Sequence, residues 1–301
     1  MSSPFVLFLD VLPADAERTP AELAATIRRF APEETPLTID DLGVSRGDGV
    51  FETLGVFDGA AHAVEPHLRR LEQSASMMDL PVPHRAQLRA AIVRAVAELP
   101  RGTASLKLVL TRGRESGTQP SAWIVATPLP QGFPERESGV RVALLDRGLA
   151  SDIAGRAPWL LVGAKSLSYA VNMASLREAR RRGADDVIFT STDGFVLEGP
   201  TSSVVVRRQG QYLTTPATAG ILAGTTQADL FEALRADGEG VQERLLRPEE
   251  LRDADGVWLL SSVRLAVPVT HIDGDEVASS PEQTARLNAL LLAREGLRPA
   301  E

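Results

Sequence analysis

Only two of the 32 basic residues in this 301-residue chain are lysines, Lys107 and Lys165; the rest are arginines. Arginine stays protonated, whereas a partly buried lysine can lose its charge and act as a nucleophile, a base or a Schiff-base former. Lys107 sits in Ser105-Leu-Lys-Leu-Val-Leu-Thr111 and reads as a polar position on a strand. Lys165 follows the apolar run Trp159-Leu-Leu-Val-Gly-Ala164 and shares its neighbourhood in sequence with a carboxylate, in Glu198-Gly-Pro-Thr-Ser-Ser203. An ordinary solvated turn lysine is the competing reading. Further on, Ile221-Leu-Ala-Gly-Thr-Thr226 places a glycine and two hydroxyls where a helix begins. Such an end presents backbone N–H groups to an anion and suits a phosphate, although threonine is also an everyday helix cap.

One helix and one tight hairpin must position the lysine and the carboxylate. Residues Asn172 to Arg182 have helical composition, and Gly183 is placed as the C-terminal stop. Val187 to Thr192 and Phe195 to Glu198 are β-rich and joined by Asp193-Gly194, a hairpin signal. The hairpin returns Glu198 toward the end of a sheet where the helix and Lys165 are expected, with the ammonium and the carboxylate on opposite sides of one small pocket.

Residues 1–37 read as a strand from Phe5 to Leu12 and a short amphipathic helix from Pro20 to Phe30. Val50 to Phe57 is a strand, Asp58-Gly59 a turn and Ala60 to Val64 the return. Pro66 then opens a helix on which Leu68, Leu71, Ala75 and Met78 form a core stripe, with Arg69 and Arg70 on its border. A second helix spans Arg85 to Leu99, and strands follow at Ser105 to Thr111 and Ala122 to Thr127. Pro128, Pro130 and Pro134 mark a connector, giving two α/β domains at about 1–130 and 131–301, the larger carrying Lys165. Beyond it come a strand at Gly139 to Leu145, a hairpin of Ser202 to Arg207 with Gln211 to Thr214, and a helix from Pro281 to Glu295 capped by Ser280.

Bulk properties exclude several classes. A net charge of -8 gives no basic surface for nucleic acid or an anionic membrane. With no cysteine, disulfides, thiol chemistry and thiolate zinc sites are ruled out. His62, His67, His84 and His271 lack metal-ligand spacing, so no metal is expected. Gly43 to Gly49 is glycine-rich but precedes a strand, which rejects a dinucleotide or P-loop reading. The first ten residues lack the basic region of a signal peptide and no run approaches a membrane span, so the cytoplasm is the expected location.

Three segments together carry a resemblance: Lys165-Ser-Leu-Ser-Tyr-Ala-Val-Asn172, Gly183-Ala-Asp-Asp-Val-Ile-Phe189 and Asp193-Gly-Phe-Val-Leu-Glu-Gly199. They resemble the class IV (fold type IV) pyridoxal-phosphate enzymes, which include branched-chain and D-amino-acid aminotransferases and aminodeoxychorismate lyases. The likeness runs from about Asp40 to Gly274. It implies a two-domain α/β (α+β) fold of the D-amino-acid aminotransferase type, a homodimer, and pyridoxal 5'-phosphate held between the domains. By resemblance, Lys165 bears the cofactor and Glu198 pairs with its pyridine nitrogen. The pattern His-x-x-Arg-Leu assigns Arg70 to the phosphate and leaves His67 structural. Gly224, Thr225, Thr226 and Ser262 match the rest of the phosphate cup, and Tyr169 the position beside the cofactor's phenolic oxygen.

The compact spacing of Lys165-Ser-Leu-Ser-Tyr169 is similar to that of the lyase and D-amino-acid branches, while the loop after Thr111 without histidine and Phe51 in place of tyrosine depart from the D-amino-acid enzymes. The set from Arg46-Gly-Asp-Gly-Val-Phe-Glu-Thr-Leu54 through Ser261-Ser-Val-Arg264 looks closest to actinobacterial-type aminodeoxychorismate lyases. That resemblance implies conversion of 4-amino-4-deoxychorismate to 4-aminobenzoate and pyruvate in folate biosynthesis. The alternatives are an aminotransferase for D-amino acids or branched-chain amino acids, or an inactive cofactor-binding homologue. Because the lyase substrate has two carboxylates, Arg46, Arg112 and Arg264 are candidates to bind it, Arg46 first among them.

Overall fold

The computed structural model describes residues 3–130 and 132–299. Contacts divide the chain into two compact units, one of Met1–Gly132, Ala164–Tyr169 and Glu295–Glu301, the other of Phe133–Gly163 and Ala170–Arg294. The sequence reading gave Lys165 to the second half of the chain; its segment instead packs with the first unit. The reason is backbone pairing, described below.

The first unit comprises β1 (Phe5–Leu9), α1 (Pro20–Ala25), β2 (Ile27–Phe30), α2 (Leu42–Ser45), β3 (Gly49–Phe57), β4 (Ala60–Ala61), α3 (Val64–Met77), α4 (Arg85–Glu98), β5 (Thr103–Thr111) and β6 (Ser121–Pro128). Its sheet runs β2-β1-β6-β5-β3-β4, antiparallel throughout. Strand alternation sends Val50, Leu54, Leu106, Leu108 and Ile124 into a core with Leu68, Leu71 and Ile92 of the helices. Asp58 and Gly59 take positive φ values of 47° and 76°, the hairpin geometry that an Asp-Gly pair favours.

One expected element is corrected here. Pro20 to Phe30 is not a single helix: α1 stops at Ala25, and Ile27–Phe30 is a strand paired with β1. Ile27 enters the core while Arg28 and Arg29 stay exposed. Sheet pairing thus overrides the weak helical period.

The second unit contains α5 (Glu135–Ser138), β7 (Val140–Asp146), α6 (Ile153–Arg156), α7 (Ala170–Arg181), β8 (Asp186–Thr190), β9 (Ser203–Arg208), β10 (Gln211–Thr214), α8 (Thr225–Ala236), β11 (Gly240–Glu243), α9 (Pro248–Arg252), β12 (Gly256–Ser261), β13 (Leu265–Ile272), β14 (Asp275–Glu276) and α10 (Pro281–Leu292). Its mixed sheet runs β11-β10-β9-β12-β13-β7-β8, with β14 beside β13. Gly183, at φ 74°, ends α7, and the Ala184 N–H closes on the Ala179 carbonyl at 2.9 Å. The hairpin leading to Glu198 is tighter than expected: β8 ends at Thr190, and the return is held by Leu197 N–H to Phe189 O at 2.8 Å and Phe189 N–H to Glu198 O at 2.9 Å. Among the described residues no helix is long and apolar enough to cross a membrane, and no acidic, histidine or cysteine cluster is arranged for a metal.

Candidate active site

In the first unit, residues 165–167 lie along β3. The Phe51 N–H donates to Lys165 O at 2.9 Å and the Leu167 N–H to Gly49 O at 2.8 Å, with an antiparallel bridge between Val50 and Ser166. The Lys165 N–H in turn donates to Ser74 Oγ of α3 at 3.1 Å. A short run without strand-like alternation is thereby fixed as an added edge of the sheet. Its side chain reaches an aromatic platform: Lys165 Nζ stands 4.5 Å from the centroid of the Phe51 ring. Tyr169 packs edge-on against the same ring, centroid to centroid 5.4 Å at 81°.

The next residue on β3 faces the other way. Glu52 is fully buried, and Arg70 on α3 grips it with Nε to Oε1 and Nη2 to Oε2, both at 2.7 Å. His67 adds Nδ1 to Oε2 at 2.7 Å. Burial by itself would push the Glu52 carboxyl up, but the Arg70 guanidinium and the hydrogen bonds from Arg70 and His67 outweigh it and hold the group down to about 2. Burial pushes the His67 imidazole below its ordinary value, against the pull of Glu52. The neutral ring therefore donates from Nδ1 to an ionised Glu52. His67 is structural in this arrangement, and Arg70 comes with a carboxylate partner that the sequence reading did not identify.

In the second unit, Glu198 Oε2 accepts the Leu222 N–H at 3.2 Å, so the carboxylate is tied to the loop that precedes α8. The Asn172 side chain, in the first turn of α7, donates to Pro200 O at 2.7 Å and steadies the Glu-Gly-Pro turn. Helix α8 opens at Gly224 with no side-chain cap, and Thr225 and Thr226 are buried in its first turn. The Thr226 and Ser262 hydroxyls lie 3.3 Å apart. A Cβ on Gly224 would fall 2.1 Å from Ser203 Oγ, so only glycine lets that hydroxyl approach the helix end so closely. Hydroxyls around an uncapped N-terminus of a 12-residue helix fit a phosphate dianion, and a carboxylate held ready beside them fits a protonated ring nitrogen. The residues present thus fit pyridoxal phosphate.

The three candidate substrate arginines differ in their surroundings. Arg112 is committed to Asp48, at 2.6 Å from Nε, and to the carbonyls of Met78 and Asp79. Arg264 donates to Asp186 Oδ2 at 2.9 Å. Arg46, at the end of α2, is exposed and no acidic partner lies within ion-pair distance among the described residues. Sequence reasoning used Phe51 only to tell branches of the family apart and missed Glu52, Ser74, Ser203 and Leu222. Only Glu52 carried a usable signal, as a charge in the middle of the apolar run Val50–Phe57.

The profile of the amino-transferase class IV family matches residues 49–272. A Mycobacterium tuberculosis protein named bifunctional aminodeoxychorismate lyase / D-amino acid transaminase is 48% identical over 256 residues, which is 81% of this chain and 89% of its own. A fold IV transaminase from Curtobacterium pusillum superimposes with a TM-score of 0.89 at 44% identity, covering 97% of this chain and 100% of that one. The PLP-bound form of a hypothetical aminotransferase from M. tuberculosis gives 0.87 at 43% identity, covering 96% and 99%. The chain belongs to the class IV aminotransferase family, enzymes of fold type IV with pyridoxal phosphate as cofactor.

Proposed function

We propose that this enzyme is a 4-amino-4-deoxychorismate lyase, releasing 4-aminobenzoate and pyruvate. The observation that carries the reading is the 48% identity to a relative whose name gives that activity first. The histidine-free loop after Thr111 and Phe51 in place of tyrosine support it, while the compact Lys165-Ser-Leu-Ser-Tyr169 spacing fits the lyase and D-amino-acid branches alike. The same name joins D-amino acid transaminase to the lyase, so D-amino-acid transamination is the second reading. Assembly as a homodimer in the cytoplasm completes the proposal.

When bound, pyridoxal phosphate supplies an electron sink conjugated to the substrate amine. Lys165 anchors it, then acts as the base that takes the proton from the carbon bearing that amine. In the lyase reaction the enolpyruvyl C–O bond then breaks, the ring becomes aromatic, and the departing enol takes up a proton to become pyruvate. In a transaminase reaction Lys165 would instead carry that same proton across to the cofactor side. Glu198, fixed by the Leu222 N–H, keeps a proton at the pyridine nitrogen. Thr225, Thr226, Ser262 and the Gly224 turn bind the phosphate, and the resemblance assigns Arg70, which is paired with Glu52, to it as well. Tyr169 positions the phenolic oxygen.

The deciding experiment mixes purified holoenzyme separately with aminodeoxychorismate, D-alanine and L-leucine. Formation of 4-aminobenzoate and pyruvate from the first is the expected result. Release of a 2-oxo acid from D-alanine or L-leucine, with no 4-aminobenzoate, would replace the lyase by a transaminase.

A further inference from the structure

The turn that carries Ser262 is held in a conformation its own residues do not favour. Ser261 and Leu265 are the last paired residues of β12 and β13, so Ser262, Val263 and Arg264 make the connection. Leu265, which is buried, has a φ of 58°, in the left-handed region that a bulky side chain rarely adopts. A glycine would sit there without strain. The turn therefore depends on contacts from outside it.

Three side chains of the second unit supply them. Arg136 of α5 forks across two successive carbonyls, Nε donating to Arg264 O at 2.7 Å and Nη2 to Val263 O at 2.9 Å. Its guanidinium carbon lies 4.6 Å from the centroid of the Phe133 ring, a contact that orients the fork. Arg264 ties the turn's own side chain to buried Asp186 at 2.9 Å. Asn288 of α10 donates to Ala266 O at 3.0 Å and accepts the Ala266 N–H at 2.9 Å, taking the place of a strand where β7 joins β13 only from Val269 onward. Of the three, Arg136 is the one that grips main-chain atoms of the turn itself, one and two residues beyond Ser262. A lysine, with its compact ammonium, cannot reproduce that fork.

We infer that Arg136 is a positioning residue for cofactor binding. It holds the Val263–Arg264 main chain, and thereby keeps the Ser262 hydroxyl 3.3 Å from that of Thr226, where the two can share one phosphate. The inference rests on Ser262 belonging to the phosphate cup.

The test titrates full-length protein freed of cofactor with pyridoxal phosphate and, separately, with pyridoxal, which lacks the phosphate. Wild type, Arg136→Met, Arg136→Lys, Ser262→Ala and the double variant of Arg136→Met with Ser262→Ala are compared. Methionine keeps an apolar stem against Phe133 and loses the donors. Arg136→Met should raise the Kd for pyridoxal phosphate roughly tenfold, the size of one lost charge-assisted hydrogen bond, and that for pyridoxal by less than about twofold. Its melting temperature should stay within a few degrees of wild type, and the phosphorus NMR resonance of the bound cofactor should shift. Arg136→Lys should recover little, because it keeps the charge and loses the fork. If Arg136 acts through Ser262, the double variant should lose less than the product of the two single effects. Equal weakening for both ligands, full recovery by lysine, or single effects that multiply would overturn the proposal. An unchanged preference for the phosphate in Arg136→Met, beside a reduced one in Ser262→Ala, would overturn it and leave Ser262 in the cup. Unchanged affinities in Ser262→Ala would instead remove Ser262 from the cup, and the proposal with it. Should Arg136→Met fail to fold, Arg136→Gln carries the same comparison.

Discussion

Phe51 and Lys165 are joined twice, by the Phe51 N–H on the Lys165 carbonyl at 2.9 Å and by the Lys165 ammonium over the Phe51 ring at 4.5 Å. The backbone bond sets where Lys165 starts and the ring sets where its side chain ends. Because the main chain carries the placement, replacing the side chain should leave the fold intact. Lys165→Ala and Lys165→Arg should therefore melt within a few degrees of wild type but lose the visible band of covalently held cofactor, and borohydride treatment should add no cofactor mass. A normal band in either variant would remove Lys165 from the role.

Glu198→Gln keeps a group that can still accept the Leu222 N–H but loses the negative charge. Cofactor affinity should change little, because the phosphate and the lysine supply most of the hold. Turnover should fall at least tenfold, since a neutral amide no longer keeps a proton on the pyridine nitrogen. Steady-state kinetics with cofactor content measured in parallel would check this; unchanged kcat would refute the assignment.

The pair of Glu52 and Arg70 is a buried ion pair, and such pairs respond asymmetrically to mutation. Removing one partner strands a charge and costs about 3–5 kcal/mol, whereas removing both costs far less. Glu52→Ala alone should therefore be strongly destabilising, and Glu52→Leu with Arg70→Met should recover most of the loss in urea unfolding. The double variant should still bind pyridoxal phosphate less tightly than wild type if Arg70 faces the phosphate. A double variant whose loss equals the sum of the losses of Glu52→Leu alone and Arg70→Met alone would mean the side chains act independently.

Much of this arrangement is legible in the sequence because local signals agree with the fold. Asp58-Gly59 and Gln209-Gly210 both adopt the positive φ values that hairpin turns require, and Ser280 caps α10 through the Gln283 N–H at 3.1 Å. What the sequence hides is non-local. Nothing in Lys165-Ser-Leu167 announces an edge strand, because its partner β3 lies more than a hundred residues earlier. Lys107 reads as a plain polar strand position because alternation shows which face it is on but not which side chains share that face. The same applies to Ser203, whose approach to Gly224 is set by the meeting of β9 with the start of α8.

Gly224→Ala tests that approach. A Cβ 2.1 Å from Ser203 Oγ and 3.2 Å from Ser203 Cβ cannot be accommodated without movement. Overpacking of this kind costs about 1–3 kcal/mol, and here it would also displace hydroxyls beside the helix end. The expected result is weaker affinity for pyridoxal phosphate with little change in affinity for pyridoxal, which lacks the phosphate. Ser203→Gly in the Gly224→Ala background should restore part of the phosphate affinity. Equal weakening for both ligands would mean that the helix end does not hold the phosphate.

The buried cluster around Glu52 should also make the protein acid-sensitive in two stages. His67 is held below its ordinary value of 6.5 by burial. Above that pH the imidazole is neutral in both folded and unfolded chains and contributes no pH dependence. As the pH falls below 6.5 the unfolded chain takes up a proton that the folded chain resists, so stability drops, with a limiting slope of about 1.4 kcal/mol per pH unit for one proton. Glu52, held down to about 2 from 4.5, stabilises the fold above 4.5 and loses that contribution as the pH falls through the window below. The first stage can be isolated by urea unfolding of wild type and His67→Gln at a series of pH values. Glutamine cannot titrate, so the stability gap between the two proteins should be widest at pH 7 and narrow steadily toward pH 5. A gap that stays constant across that range would show that His67 takes up its proton equally in both states, and would remove it as the source of acid sensitivity.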